Sequence, residues 1–389
     1  MRDALLALVL LTVPLQAQDA LVDKGYDYFY NLDYAEAIQQ FQSAIAQNPN
    51  SPDLHNHLAE SIVFQEMFRD GALESELVSG NNSFLRRPKL NPTPETEQRF
   101  LDEIGKAMSL AETRLKANPK DAEAMYSLGI SYGLRSNFYW LVKKAWRDSL
   151  RDATAARKLH NQVSEIDPSN VDARLVQGLD DYIVGSLPVM YRMFGFLVGI
   201  RGDKELGLRT VQEVARNGKA DRTEAQILLC ALYRRENRPR EAIPMIDDLI
   251  RRFPRNFLMR LELAQAYSSA GDAPSALRVL EETAGLKSKH APGYDRLPWE
   301  KIYFQQGTIQ FWYRSFDSAL ENLQRVVTSP AELDLNTGSY AWLRIGQIYD
   351  LTNRRPLALK AYQKSIDFAP DADAARESKK YLSAPYRRS

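Results

Sequence analysis

Residues 342–370 read WLRIGQIYDLTNRRPLALKAYQKSIDFAP. A small residue, Gly346, lies in the first half of this stretch, and Ala358 lies in the second half. Small residues at both places let two neighbouring helices approach closely, since large side chains there would separate them. Pro370 follows the second half, where its missing N–H stops a helix. The stretch therefore predicts one helix–turn–helix unit.

The same small positions recur along the chain at a fixed spacing. Gly25 and Ala59 are 34 residues apart, and Cys230 and Ala264 are separated by the same number. A constant period in this range is typical of solenoids, in which each helix pair stacks on its neighbours. No segment shows the alternation of a β-strand bounded by turns. We therefore expect an all-α fold, with binding as the default function.

The residues around these positions resemble the tetratricopeptide repeat family. Its pattern places an aromatic residue, Leu-Gly and Tyr on one helix and then Ala, a bulky residue and Pro on the next. Four units match in register: Gly25, Tyr28, Tyr34, Ala37, Phe41, Ala44 and Pro49; Leu229, Cys230, Tyr233, Ala242, Ile246, Leu249 and Pro254; Leu263, Ala264, Tyr267, Ala276 and Leu280; and Trp342, Ile345, Gly346, Tyr349, Ala358, Tyr362 and Pro370. The helix around Leu128, Gly129 and Tyr132 fits as well. The resemblance implies a solenoid of stacked antiparallel helix pairs.

This resemblance covers most of the chain and predicts its organisation. We expect a single solenoid of seven to eight helix pairs over residues 18–386, with a tail at 387–389. Insertions that interrupt the spacing often carry function, because they collect on one face of a solenoid. The sequence predicts four of them, near residues 79–95, 136–150, 182–202 and 285–299.

Two of these insertions are rich in apolar residues. Phe138, Val142 and Trp146 are spaced by four and share one stripe if a helix continues through them. The stripe either packs on the scaffold or forms a ligand platform or a membrane-interface contact. Residues 182–200 are nearly all apolar with Arg192 as their only charge. We expect a pair of short helices packed on the solenoid, with membrane insertion as the alternative.

Residues 182–210 carry a second, local resemblance. Gly185-Ser186-Leu187-Pro188, Gly195-Phe196-Leu197 and Gly202-Asp203-Lys204-Glu205-Leu206-Gly207-Leu208 are similar to a segment of the tetratricopeptide repeat protein 39 or inclusion-body-clearance family. Members of that family are eukaryotic and lack an export signal. The residues themselves predict a tight turn at Gly202 and a helix that begins at Lys204 and is capped by Asp203.

The first residues predict export. Arg2 precedes an unbroken apolar run at residues 4–11, which is too short to span a bilayer. We expect a signal peptide over residues 1–17 with cleavage after Ala17; the alternative is a disordered or buried N-terminal helix. The single cysteine, Cys230, is far from this segment, so the chain is not expected to be a lipoprotein. So few cysteines suit a bacterial periplasm or the extracellular space.

The composition and motifs give no sign of catalysis or of nucleic-acid binding. The chain has 51 basic and 50 acidic residues among 389, a net charge of +1, which provides no bulk attraction for phosphate. It contains no HExxH, no Cys-x-x-Cys and no glycine-rich phosphate loop. The one G-x-S-x-G, at residues 129–133, falls inside a predicted helix, whereas a nucleophile elbow needs a strand-to-helix turn. We predict no cofactor, no metal, no nucleic-acid partner and no enzymatic activity.

The family resemblance implies that the first helix of each unit lines a concave groove. Carrying those positions onto this chain predicts partner-binding residues at Tyr26, Phe29, Tyr30, Tyr126, Arg234, Arg235, Gln265, Phe304, Phe311, Trp312 and Gln347. Aromatic rings with scattered amides suit an extended or helical apolar peptide. Packing between neighbouring repeats is the alternative role of the aromatic residues. The sequence thus favours an exported scaffold or assembly factor that binds a protein or peptide, with a membrane-peripheral protein as the second hypothesis.

Overall fold

The computed structural model describes residues 15–71, 73, 90–187, 202–329 and 333–388, with side chains from residue 20 onward. These residues form α-helices and contain no β-strand, which confirms the all-α prediction. The helices are α1 Leu15–Tyr30, α2 Tyr34–Gln47, α3 Pro52–Arg69, α4 Pro94–Ala117, α5 Ala122–Phe138, α6 Trp146–Ile166, α7 Arg174–Gly185, α8 Lys204–Asn217, α9 Arg222–Arg235, α10 Pro239–Arg252, α11 Phe257–Ser269, α12 Ala273–Ser288, α13 Trp299–Trp312, α14 Phe316–Val327, α15 Leu335–Leu351, α16 Arg355–Phe368 and α17 Asp373–Ser383.

The described chain divides into two compact units, with α1–α8 in the first and α9–α17 in the second. In the first unit α1 packs on α2, α5 on α6 and α7 on α8. In the second unit α9 packs on α10, α11 on α12, α13 on α14 and α15 on α16, and α17 covers the last pair. Whether the two units form one continuous array over residues 18–386 stays a prediction.

In several pairs a glycine on the first helix receives a large side chain from the second helix. A Cβ atom added at Gly25 would lie 2.5 Å from the Phe41 ring, and one added at Gly346 would lie 2.5 Å from the Tyr362 ring. In both pairs the large residue follows the glycine by 16 positions. The alanines predicted to receive the approach are all buried: Ala37, Ala242, Ala276, Ala319 and Ala358. The pattern that predicted the fold is therefore a contact between the two helices of these pairs.

The insertion near 136–150 lies between the two helices of one pair. Gly129 of α5 faces His160 of α6, where an added Cβ would lie 2.8 Å from the imidazole ring. His160 follows Gly129 by 31 positions, which is 15 more than the usual 16. The spacing of 49 residues from Gly129 to Gly178 also exceeds the 34-residue period by 15. The extra residues are therefore absorbed between α5 and α6, and the contact between the helices is kept.

The predicted helical stripe through this insertion is wrong. Helix α5 ends at Phe138, a π-helical turn covers Tyr139–Lys143, and α6 begins at Trp146. Lys144 has a φ of 53°, so the chain turns sharply between the two helices. Phe138 is buried while Trp146 is exposed, because the break at Lys144 gives them different orientations.

Glycines also hold α7 against α8. A Cβ atom at Gly207 would lie 2.4 Å from the backbone nitrogen of Tyr182, and one at Gly185 would lie 2.2 Å from that of Lys204. These neighbours are backbone atoms, which cannot rotate aside as a side chain can. Any larger residue would force the two helices apart.

The predicted cap of α8 is confirmed. The helix begins at Lys204, and the Asp203 side chain accepts a hydrogen bond from the backbone N–H of Leu206 at 3.0 Å. Residues 188–201, which hold most of the apolar stretch predicted to form two short helices, lie outside the described residues.

His160 is a titratable group in an apolar setting. Its side chain is fully buried, and neither ring nitrogen has a hydrogen-bond partner among the described residues. The ring packs edge-on against Tyr126, with 5.0 Å between ring centroids. Burial lowers the pKa of His160 from 6.5 to about 4, because the charged imidazolium would lose its hydration.

Two glycines of α5 test the close approach of the helices. We expect Gly129→Ala to lower the free energy of unfolding by about 1–3 kcal/mol, because the new methyl group collides with His160. Gly133→Ala is the matched control on the same helix, where no atom lies within 4 Å of the new Cβ. That change should raise the free energy of unfolding by about 0.5–1 kcal/mol. Urea denaturation followed by circular dichroism measures both, and equal effects would contradict the packing described.

The buried imidazole predicts a loss of stability in acid. Because the pKa of His160 is lowered on folding, its contribution is present above pH 6.5 and is lost as the pH falls towards 4. Between pH 7 and 5 this loss is about 2 kcal/mol. His160→Phe keeps a ring against Gly129 without a proton to bind, so its unfolding free energy should fall less over that range. Burial also lowers the pKa of His57, which contributes equally to both proteins. Identical pH slopes for the two would refute the assignment.

Candidate functional site

The last helix pairs present their first helices side by side. Helix α11 contacts α13, α13 contacts α15, and α15 contacts α17. Polar and aromatic side chains converge where α13 and α15 end. We call this surface the first-helix face; it is the side of α13, α15 and α17 that bears Trp312, Arg344 and Asp350.

The aromatic part of this face is Trp312, of which 41% is exposed. Phe311 beside it is fully buried and belongs to the core between α13, α14 and α15. The guanidinium carbon of Arg344 lies 4.8 Å from the Trp312 ring centroid and 5.0 Å from that of Phe311. A cation over an aromatic ring is favourable, so Arg344 and the core together fix the indole in place.

A chain of hydrogen bonds fixes Arg344 in turn. Arg344 Nη1 donates to Gln347 Oε1 at 2.7 Å, and Gln347 Nε2 donates to Glu377 Oε1 at 3.2 Å. The Tyr381 hydroxyl donates to the same glutamate oxygen at 3.0 Å. Gln347 is fully buried. It joins Arg344 on its own helix, α15, to Glu377 on α17.

Asp350 is the polar centre of the face. Its side chain is fully buried, and Arg355 Nη1 donates to both carboxylate oxygens at 3.0 and 3.1 Å. The Tyr362 hydroxyl donates to Oδ2 at 2.8 Å. Burial and the neighbouring carboxylate raise the pKa of Tyr362, since both oppose a phenolate. Arg355 also donates through Nη2 to two carbonyls at the end of α17, so Asp350 is joined to that helix as well.

The chain after α17 turns back over these side chains. We call residues 384–388 the return segment. Ala384 has extended backbone angles, with φ −135° and ψ 136°. The backbone N–H of Tyr386 donates to Asp350 Oδ2 at 2.7 Å. The face thus holds extended backbone by a bond to a buried carboxylate.

Two side chains of the return segment contact aromatic rings of the face. The Tyr386 ring centroid lies 5.2 Å from that of Tyr381 and 6.3 Å from that of Phe311. The guanidinium carbon of Arg388 lies 5.2 Å from the Trp312 ring centroid. Trp312 therefore interacts with one cation from α15 and one from the return segment.

The residues predicted in the first unit make internal contacts. The rings of Tyr26 and Tyr30 stack with 5.7 Å between centroids, and Phe29 is buried beside them. The Tyr26 hydroxyl lies 2.6 Å from His57 Nδ1. Tyr126 contacts the buried His160 described above. These contacts fit the alternative role of the aromatic residues, which is packing within the repeats. Partner binding by these residues stays a prediction.

The remaining predicted residues are in the second unit. Arg234 pairs with Glu262 at 2.7 Å, and both side chains are nearly buried. Phe304 is buried in the core, Gln265 is half-buried and Arg235 is exposed. Of the predicted residues in the second unit, Phe311 and Trp312 contact the return segment, and Gln347 joins them through Arg344.

Sequence reasoning missed the residues that complete the face. The repeat pattern specifies no residue type at the positions of Arg344 and Arg355. The predicted tail covers only 387–389, so that prediction does not indicate the return segment. A signal for the return segment was present at Pro385-Tyr386, where a helix breaker precedes a lone aromatic residue after a polar helix.

The described residues also bear on three other kinds of site: a metal centre, a reactive thiol and a membrane span. Among the described residues, no cluster of three or more His, Cys, Asp or Glu could hold a metal ion. Cys230 is buried, and burial raises the pKa of its thiol, which disfavours the reactive thiolate. None of the helices in the described ranges is long and apolar enough to cross a membrane.

Comparison with known families decides the kind of repeat. A family model described as "Tetratricopeptide repeat" matches residues 22–62 and 231–291. The chain therefore contains tetratricopeptide repeats over these two stretches. The two matches fall on α1–α3 and on α9–α12, and the first includes the pair in which Phe41 lies against Gly25. The local resemblance to the tetratricopeptide repeat protein 39 family stays a prediction.

Solved structures of similar tetratricopeptide proteins are distant in sequence. A human IFIT1 dimer with m7Gppp-AAAA is 14% identical over 95% of this chain and 86% of that chain, with a TM-score of 0.47. Yeast Tom70 is 13% identical over 95% of each chain, with a TM-score of 0.40. A tetratricopeptide repeat protein from Parabacteroides merdae is 13% identical over 88% and 99%, with a TM-score of 0.31. No curated protein matches the chain. What those proteins bind is a property of theirs alone.

The buried carboxylate predicts a large effect of a small change. Asp350→Asn removes the fully buried charge that faces Arg355 and leaves a partly buried guanidinium without its counter-ion. We expect the free energy of unfolding to fall by about 3 kcal/mol. Glu321→Gln is the control, since its exposed pair with Arg325 should contribute less than about 1 kcal/mol. Chemical denaturation measures both, and a small effect at Asp350 would remove it as the centre of the face.

Proposed function

We propose that this tetratricopeptide repeat protein is a non-catalytic scaffold that binds a partner protein through an extended peptide on the first-helix face. The fold is one of protein–protein interaction scaffolds, and the family is generally non-catalytic. The observation that carries the proposal is the bond from the Tyr386 backbone to Asp350. A surface that binds extended backbone in this way has the chemistry that peptide recognition needs.

The side chains of the face add specificity to this backbone bond. Trp312 is an exposed aromatic residue held on a rigid helix, and such residues commonly dominate binding energy. Arg344 is already paired with the indole, so little side-chain freedom remains to be lost on binding. An extended peptide with an aromatic and a basic side chain is therefore the partner that this face fits.

We also propose that the protein works outside the cytoplasm, in a bacterial periplasm or the extracellular space. The support is the N-terminal sequence, where Arg2 and the apolar run at 4–11 precede Ala17. Removal of residues 1–17 would take three residues from the start of α1, which begins at Leu15.

A photo-crosslinking amino acid tests the scaffold in living cells. Benzoylphenylalanine in place of Trp312 keeps an aromatic ring on the first-helix face, and we expect ultraviolet light to join it to a partner of discrete mass. The same residue in place of Leu359, which is exposed on the second helix α16, is the control and should give no such product. The intact mass of the uncrosslinked chain from the exported fraction should lack residues 1–17.

Two results would count against these proposals. The same products from both positions, or no product from Trp312, would show that the first-helix face does not bind a partner. A mature chain that keeps residues 1–17 would remove the signal peptide.

A second candidate function is peripheral binding to a membrane, and one observation favours it. Trp146 and Leu150 lie one turn apart on α6 and are 57% and 51% exposed. The Arg147 guanidinium carbon lies 5.3 Å from the Trp146 ring centroid, and Arg151 follows one turn later. Exposed Trp and Leu flanked by arginines suit the surface of an anionic bilayer.

Flotation with anionic phosphatidylglycerol vesicles tests this candidate. If the protein binds membranes in this way, the wild-type protein floats with the vesicles and a Trp146→Ala/Leu150→Ala variant does not. Leu335→Ala, which removes a leucine that is 61% exposed in the other unit, is the control and should float like the wild type. Absence of wild-type flotation, or equal flotation of all three, excludes the candidate.

A further inference from the structure

We propose that the first-helix face is a docking site selective for an extended segment of the form Pro-aromatic-x-Arg, that residues 384–388 occupy it in cis, and that a partner segment of the same chemistry displaces them. This inference rests on the proposed function and adds the kind of partner and the means of regulation. The observation behind it is that the return segment makes the contacts that a bound peptide would make.

Each position of the return segment has a stated role. Pro385 restricts its own φ and favours extended backbone before it. Tyr386 donates its backbone N–H to Asp350, and its ring packs near the rings of Phe311 and Tyr381. Arg387 is exposed, so its position accepts any residue, while Arg388 lies over Trp312. The face therefore selects two side chains and one backbone N–H.

Charge and ring geometry explain why the last position prefers arginine. A planar guanidinium stacks on an indole, whereas a lysine ammonium is a compact and strongly hydrated charge. Arg344 lies within 4.8 Å of the Trp312 ring centroid, and Arg388 lies within 5.2 Å of it. The Trp312 indole is thus contacted by two guanidinium groups. Replacing Arg388 leaves it with the Arg344 cation.

The return segment is held weakly enough to be displaced. Ala384, Pro385 and Arg387 are exposed, and one hydrogen bond from its backbone reaches the face. The segment stays on the face mainly because it is covalently joined to α17 without a linker. This connection gives it an effective concentration on the order of mM. A partner segment competes by making further contacts.

The order of the helices shows where those contacts lie. The return segment runs from α17 across Asp350 on α15 to Trp312 on α13, and α11 is the next first helix in that direction. A partner chain that continues past its arginine reaches α11. The partner is thus expected to carry additional residues after the arginine.

A direct binding measurement tests the docking site. The probe is a fluorescent peptide with the sequence of residues 383–389, SAPYRRS, added to a variant that lacks residues 384–389. We expect saturable binding by fluorescence anisotropy, and at least tenfold weaker binding to the full chain, whose face is occupied. Full-length Tyr386→Ala keeps the segment and removes its ring, so it should bind the probe nearly as well as the shortened variant. Its melting temperature shows whether the fold is intact, should the shortened variant be unstable.

Matched peptides and one protein variant separate specific from general attraction. A probe with alanine at the tyrosine position, or a scrambled probe of equal charge, should bind at least tenfold more weakly. In a shortened chain that also carries Trp312→Ala, the native probe and a probe with alanine at the Arg388 position should bind equally, since their difference depends on the indole.

Four results would overturn the inference. Equal binding to the full and shortened chains would show that the return segment does not occupy the site, and equal binding of the scrambled probe would show charge attraction alone. A dimer by light scattering that disappears in the shortened variant would show exchange of the segment between copies instead of occupancy in cis. Crosslinking from Trp312 without probe binding would overturn this inference and leave the scaffold proposal standing, whereas probe binding without a crosslinked partner would do the reverse.

Discussion

The structure depends on one repeated contact, in which a large side chain from the second helix of a pair lies against a residue without a side chain on the first helix. Phe41 over Gly25 and Tyr362 over Gly346 are two instances. The glycine decides how near the helix axes come, and the ring fills the space that this leaves. Each pair is therefore fixed locally, and stacking then places the first helices beside one another. The first-helix face exists because that placement repeats.

The fold was predictable because its determining contact is local in sequence, and much of the candidate site was not because its contacts join separate helices. The 34-residue period and the small residues predicted the helix pairs, and Asp203 predicted the start of α8. The positions of Phe311, Trp312 and Gln347 followed from the family pattern. The burial of Asp350 did not follow, since it depends on Arg355, Tyr362 and Tyr386. Whether an aromatic residue at a first-helix position is exposed, like Trp312, or buried, like Phe29, depends on its neighbours in space.

Asp350 has a part in stability and a part in the proposed recognition. Its bond to Arg355 and its acceptance of the Tyr362 hydroxyl stabilise the last pair. Its acceptance of a backbone N–H from an extended segment is the contact on which the proposed recognition rests. Because a buried carboxylate must be paired, Arg355 and Tyr362 hold this acceptor in a fixed orientation. The face is thereby organised before any partner arrives, which reduces the entropy that binding must overcome.

The extra residues between α5 and α6 break the repeat in sequence and keep it in the structure. In space this pair is equivalent to the others, since His160 lies on Gly129 as Phe41 lies on Gly25. In one dimension it is not, because an alignment must open a gap of 15 positions before the second helix returns to register. A profile built on constant spacing cannot keep its register across that gap, and the family model matches residues 22–62 and 231–291, outside this pair. Helix pairs of this kind are visible as contacts and invisible as periods, so divergent relatives of such a chain are better found by their contacting residues than by their spacing.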